Sequence, residues 1–184
     1  MLTLFLLAIA LAMDAFAAAL CQGAAAGSRS AVALRVAAAF GAAQGLMPLI
    51  GWGVGLAFAS VIQAVDHWIA LVLLVLLGVR MLQEGWVRDP AECAPPLAGW
   101  TLFAAAIGTS VDAAAAGVTL PLLGKPLALA CAVIGATTAA ACFGAVHLGG
   151  AVGTRLGRPA EMLGGVVLIA LGIRIFVQHH FFGG

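Results

Sequence analysis

Six runs of apolar residues, each close to the ~20 that an α-helix needs to cross the hydrocarbon core of a bilayer, fill most of this chain. They fall at about 2–22, 32–54, 61–83, 97–119, 126–149 and 162–178. The polar residues left over cannot cover a globular surface: 64% of the 184 residues are hydrophobic and 8% are charged, where a soluble domain carries roughly a quarter charged. The sequence predicts an all-α membrane protein with six transmembrane helices, and it excludes a soluble enzyme or a disordered tail. Eight Lys and Arg against seven Asp and Glu give no strong field to attract a polyanion. The expected partner is the lipid bilayer, and no nucleic acid is expected.

Breakers separate the runs. They are Gly27-Ser28-Arg29-Ser30, Arg88-Asp89-Pro90 through Pro95-Pro96, Pro121 with Gly124-Lys125-Pro126, and Gly157-Arg158-Pro159. Ala17-Ala18-Ala19 resembles a signal-peptide cleavage site, but no Lys or Arg precedes the first run and Asp14 interrupts it, so it reads as a mature helix. The longest polar stretch, 84–96, divides the chain into a first three-helix unit at 1–83 and a second at 97–184. Arg29, Arg35, Arg80, Arg88, Arg155 and Arg158 fall on one side of the membrane, and only Lys125 and Arg174 on the other. The positive-inside rule then places both termini outside and the 84–96 linker in the cytoplasm. Trp52 and Trp68 fall at outer ends and Trp86 and Trp100 at inner ends, the headgroup level that indole rings favour.

Three helices per unit means that the second unit enters the membrane inverted, an architecture common among transporters. Matching residues support such a repeat. Met13-Asp14-Ala15-Phe16-Ala17-Ala18 pairs with Val111-Asp112-Ala113-Ala114-Ala115-Ala116, and Phe40-Gly41 with Phe143-Gly144. Leu77-Gly78-Val79-Arg80-Met81-Leu82 pairs with Leu171-Gly172-Ile173-Arg174-Ile175-Phe176.

Asp14 and Asp112 are the two repeat-related acids, each ~18–22 Å along its helix and so near mid-membrane. A carboxylate there costs on the order of 2.5–3.5 kcal/mol and calls for a partner. Small residues flank both (Ala10, Ala17, Ala18 and Cys21; Gly108, Thr109, Ala115, Ala116 and Thr119), so the two helices can approach closely and let the acids converge. No Lys or Arg is expected at that depth, which leaves a bound divalent cation as the partner. Further oxygens are at hand in Ser110, Thr109, Gln44, Thr137 and Thr138. Oxygen donors suit Mg²⁺, Ca²⁺ or Mn²⁺. His147, opposite Gln44 in the Phe-Gly register, would shade the preference toward Mn²⁺ or Fe²⁺.

Other residues read more plainly. Arg80 and Glu84, four apart at the cytoplasmic end of the third helix, read as a local helix pair, with a gate as the alternative. Glu161 begins the sixth helix and meets its dipole as a cap, with ion entry as the alternative. Cys21, Cys131 and Cys142 lie in apolar runs as small buried side chains, and Cys93 lies in a loop. His67, His179 and His180 lie at helix ends.

With these residues in view, the chain resembles the bacterial manganese efflux pumps of the MntP type along essentially its whole length. The resemblance rests on Ala12-Met13-Asp14-Ala15-Phe16-Ala17, Met47-Pro48-Leu49-Ile50-Gly51-Trp52, His67-Trp68-Ile69-Ala70, Gly78-Val79-Arg80-Met81 with Glu84-Gly85, Thr109-Ser110-Val111-Asp112-Ala113, and Ala160-Glu161-Met162-Leu163-Gly164-Gly165. It implies a six-helix exporter of the bacterial inner membrane that lowers cytoplasmic Mn²⁺, with Asp14 and Asp112 essential. It also implies an acidic residue in some members where this chain has Gln44.

The combined expectation is a secondary transporter, not an enzyme. Mn²⁺ is its substrate rather than a resident cofactor, and Asp14, Asp112, Gln44, Ser110 and Thr109 are the candidate metal ligands. Alternating access would carry the ion outward, and the empty carrier can return protonated, which would make it a Mn²⁺/H⁺ antiporter. Two alternatives stand beside it. An exporter of another divalent cation or of a small organic solute would, for the solute, want an intramembrane cation. A membrane thiol oxidoreductase would want a cysteine pair, but the repeat mate of Cys21 falls at Thr119.

Overall fold

The computed structural model describes residues 2–27, 29–57, 59–87, 96–118, 120, 126–152 and 154–182. Their regular elements are helical: α1 (Leu2–Ala26), α2 (Ser30–Ala57), α3 (Ala59–Val87), α4 (Trp100–Gly108), α5 (Val111–Gly117), α6 (Leu127–Val152) and α7 (Gly157–Phe182). Among the described residues, four helices are long and apolar enough to cross a membrane: Leu2–Ala26, Ser30–Ala57, Leu127–Ala151 and Gly157–Val177. Large apolar side chains point outward as well as inward. Leu34, Leu46, Leu76 and Leu163 are all exposed, as on helices that face lipid rather than water.

Most helices run past the expected ends. The fourth expected span, 97–119, is not one continuous helix. It breaks after Gly108, turns at Thr109 and Ser110, and resumes at Val111. The local cause is hydroxyl competition for the backbone. Ser110 Oγ donates to the Ala106 carbonyl at 2.6 Å and Thr109 Oγ1 to the same oxygen at 3.3 Å. The Ser110 amide, displaced from that carbonyl, donates instead to Ile107 at 3.0 Å, one residue short of α-helical register. Of the expected 84–96 linker, 84–87 belong to α3 and 88–95, with Cys93, lie outside the described residues.

Packing depends on small residues, as it must where lipid is as apolar as leucine. A Cβ on Gly135 of α6 would sit 2.9 Å from the Gly41 carbonyl oxygen of α2. On α3 and α7, Gly78 faces the Gly165 carbonyl and Gly172 faces Leu71, with Leu74 and Leu168 fully buried between them. Gly23 of α1 abuts the Val146 carbonyl of α6, and Gly149 of α6 abuts that of Leu20. The most extensive contacts therefore join α1 to α6, α2 to α6 and α3 to α7, whereas α3 touches α2 and α5 only lightly. Gln22 of α1 ties down the segment before α4, its Oε1 accepting the Leu97 amide at 2.7 Å.

The Phe-Gly match does not extend to environment. Phe40 is fully buried and Gly41 is packed hard on Ala139, whereas Phe143 is exposed and a Cβ on Gly144 would meet nothing within 4 Å.

Candidate functional site

Asp14 lies in the unbroken middle of α1, and Asp112 lies in the first turn of α5, just past the break. Both border one small cavity, together with Gly108 and Thr109 of the α4–α5 break and Leu77, Arg80, Met81 and Glu84 of α3. Its free volume is about 10 Å³, room for about one water-sized occupant. Asp14 and Glu84 also border a wider cavity of about 410 Å³, lined besides by Gln83, Val87 and Glu161. The two cavities share Asp14 and Glu84, with Glu161 bordering the broad one and Asp112 the narrow one.

The local fold leaves part of Asp112 available. It is 7% exposed, and its Oδ1 accepts the Ala113 amide at 2.7 Å. Its Oδ2 is buried with no hydrogen-bond partner among the described residues. A buried carboxylate oxygen without a donor is unusual and needs a reason; a cation is the partner that suits a carboxylate in low dielectric.

Of the five residues expected as ligands, Asp14, Asp112 and Thr109 meet at the narrow cavity. Ser110 is buried beside it, its hydroxyl committed to Ala106. Gln44 is fully buried on α2, where its Nε2 donates to the Leu11 carbonyl at 2.9 Å and its Oε1 lacks a partner among the described residues. Pro48, four residues on, has no amide hydrogen for the Gln44 carbonyl. Gln44 does not line the cavity in this conformation. Nor does His147, whose ring packs on Phe143 at 5.0 Å. No cluster of three or more His, Cys, Asp or Glu side chains in metal-holding geometry exists among the described residues.

The geometry corrects three expectations. First, Asp14 and Asp112 do not meet through packing of their helices. The extensive neighbours of α1 are α6 and α7 and those of α5 lie on α2, so the acids face each other across a cavity that α3 walls. Second, a cation does reach their depth. Helix α3 continues to Val87, which sets Arg80 two turns, ~10 Å, inside its end, and Arg80 lines the narrow cavity. It does pair with Glu84 as expected, Nε to Oε1 at 2.7 Å. Third, Glu161 is not in the first turn of its helix. α7 starts at Gly157, no acid occupies its first turn, and Glu161 is 2% exposed on the cavity wall. Only the register of the helix start could have revealed this, and the sequence leaves that start several residues uncertain. Cys21, Cys131 and Cys142 are buried; His67 and the terminal histidines lie outside the described side chains.

A family model described as "Putative manganese efflux pump" matches residues 27–176. The chain belongs to this Mntp family. A Wolinella succinogenes protein named "Putative manganese efflux pump MntP 1" is 42% identical over 182 residues, covering 99% of this chain and 100% of its own length. A Rhodospirillum rubrum relative is 42% identical, covering 96% of each chain, and a Sorangium cellulosum relative is 43% identical, covering 96% of this chain and 95% of its own. Both carry the MntP name. No solved structure matches. Membership of the Mntp family and four apolar helices of spanning length identify an integral membrane protein.

Proposed function

We propose that this chain exports Mn²⁺ from the bacterial cytoplasm by alternating access, holding the ion between Asp14 and Asp112. The observation that carries the reading is their convergence. Two acids 98 residues apart border one cavity the size of a single water, and one of them keeps a buried oxygen without a donor. Thr109 supplies a neutral oxygen on the same wall. Gln44 and Ser110 join the ligands only if α2 or the α4–α5 break shifts. Oxygen donors of this kind suit Mn²⁺ over softer metals. Family membership and the names of the relatives support manganese as the substrate.

The six-span plan is part of the same proposal. α3, at 29 residues, and α4 with α5 complete the six. An inverted two-fold relation is supported at α3 and α7, where the approach of Gly78 to the Gly165 carbonyl has its counterpart in that of Gly172 to the Leu71 carbonyl, each residue matching one on the other helix at a sequence offset of 94, with Leu74 nearer still to Gly172. By the positive-inside rule the end bearing Arg80, Arg155 and Arg158 faces the cytoplasm, so the wide cavity opens inward and both termini lie outside. The sequence halves pack together through α1·α6, α2·α6 and α3·α7, which weighs against their rocking as two bodies. The light seam between α3 and α2 or α5 fits a different motion, in which α3 and α7 shift together and slide along α1, against which α7 packs extensively.

The test is Mn²⁺ uptake into inside-out membrane vesicles bearing the native chain, with Mg²⁺ and Ca²⁺ as competitors and with the pH gradient imposed in each direction. The expected result is uptake that survives excess Mg²⁺ and Ca²⁺. Absence of Mn²⁺ uptake at confirmed protein levels overturns the substrate assignment. A rate that ignores the pH gradient excludes proton antiport and leaves the metal site standing.

A further inference from the structure

We propose that Arg80 is a tethered rival of the transported ion: its guanidinium rests on Glu84 while metal is bound and takes the metal's place between Asp14 and Asp112 when the site empties. The inference rests on the paired-aspartate reading above, and it answers which cation faces the two aspartates once the cargo has left, the charge of Glu84 then being left toward the wider cavity that it also borders. Three carboxylates, Asp14, Asp112 and Glu84, share the walls of the narrow cavity with one guanidinium. Their formal charges leave −2, which one divalent ion cancels. When that ion departs, two acids remain in low dielectric, and the nearest fixed cation on the same walls is Arg80.

Geometry makes the exchange exclusive. With about 10 Å³ of free space, the cavity accepts a dehydrated ion or a guanidinium nitrogen, not both. Arg80 is not locked in its present place. Among the described residues its bond to Glu84 runs through Nε, and the two side chains are 54% and 40% exposed. An exposed pair of this kind is weakly held. A planar fork of donors suits two carboxylate oxygens better than one. Glu84 therefore serves as the resting partner of Arg80, and Arg80 as a positioning residue that acts through the aspartates. The Arg174 that matches it in the repeat borders neither of the two cavities described above, so the device belongs to one unit only.

The experiment uses the full chain, purified in detergent or lipid nanodiscs, with Mn²⁺ alone as the probe. Equilibrium affinity and vesicle uptake rate are measured for native protein, Arg80→Gln, Glu84→Gln and the double variant. Removing the rival is expected to tighten Mn²⁺ binding about tenfold in Arg80→Gln while uptake slows about tenfold. Glu84→Gln is expected to weaken binding, because the guanidinium then stays on the aspartates. The double variant is expected to bind as tightly as Arg80→Gln. A merely structural Arg80 would not move affinity and rate in opposite directions. Arg80→Lys, which keeps a charge, is expected to bind more weakly than Arg80→Gln and serves if Arg80→Gln fails to fold. Affinity in Arg80→Gln no tighter than native or Arg80→Lys, or a Glu84→Gln effect that persists undiminished without Arg80, overturns the proposal. Asp14→Asn and Asp112→Asn are run alongside. If both keep native affinity, the paired-aspartate reading itself is wrong; if both lose it while Arg80→Gln fails to tighten, only the role of Arg80 is wrong.

Discussion

Asp112→Asn should abolish Mn²⁺ transport while leaving the protein as stable as native or more so. Asparagine has the same shape and keeps an Oδ1 acceptor for the Ala113 amide, the bond that holds Asp112 in place at 2.7 Å. What it removes is the charge at a 7% exposed position whose second oxygen has no donor. For folding, losing an uncompensated buried charge is neutral or favourable. For a divalent ion, losing half of the carboxylate charge between Asp14 and Asp112 is expected to cost about 3 kcal/mol or more, at least about a hundredfold in affinity. Asp14→Asn should behave likewise in transport. Vesicle uptake at matched membrane levels, beside thermal unfolding in detergent, checks both halves. Lost transport with lost stability would mean that the aspartates hold the bundle together instead.

Gly51→Ala should be the most damaging single methyl in the chain's second helix, and Gly53→Ala, two residues away, should be nearly silent. A Cβ on Gly51 runs into the Ala114 carbonyl of α5 and would stand 3.2 Å from the Gly117 Cα, so nothing flexible is there to yield. On the other side of the same contact Gly117 lies against the Pro48 backbone. Adding the methyl forces α2 from α5, and overpacking of this kind costs about 3 kcal/mol or more where only backbone can move. The same shift displaces α5 and with it Asp112. Gly53 has nothing within 4 Å of its would-be Cβ and is exposed. Comparing folded yield and detergent melting of the two variants decides the matter; equal behaviour would contradict the packing described for α2 and α5.

What was legible in the sequence follows from which physical signals a one-dimensional reading carries. Long apolar runs located the helices, since hydropathy and length are what a bilayer selects. The two acids stood out because a carboxylate in such a run is costly, and they do border one cavity. The i,i+4 spacing of Arg80 and Glu84 was enough to foresee their pair. The break before Asp112 was not foreseen, because it turns on which carbonyl the Ser110 hydroxyl takes, and an alanine-rich run continues helically on either side. Arg80 was misplaced in depth because α3 continues to Val87, adding a turn beyond the apolar run that defines it. The capping role of Glu161 fails for the converse reason: α7 begins before its apolar run, which moves that acid out of the first turn and onto the cavity wall. Gln44 is one of the oxygens the sequence offers, but which way its amide turns depends on α1, where it binds the Leu11 carbonyl.

The central claim is that Asp14 and Asp112 form one manganese site, and direct Mn²⁺ binding to the purified full chain tests it most closely. Electron paramagnetic resonance of free Mn²⁺, titrated against native protein, Asp14→Asn and Asp112→Asn at equal concentration, reads the bound stoichiometry without requiring turnover. The account predicts one tightly bound Mn²⁺ per native chain and none in either variant over the same range. Native stoichiometry retained in both variants would contradict it.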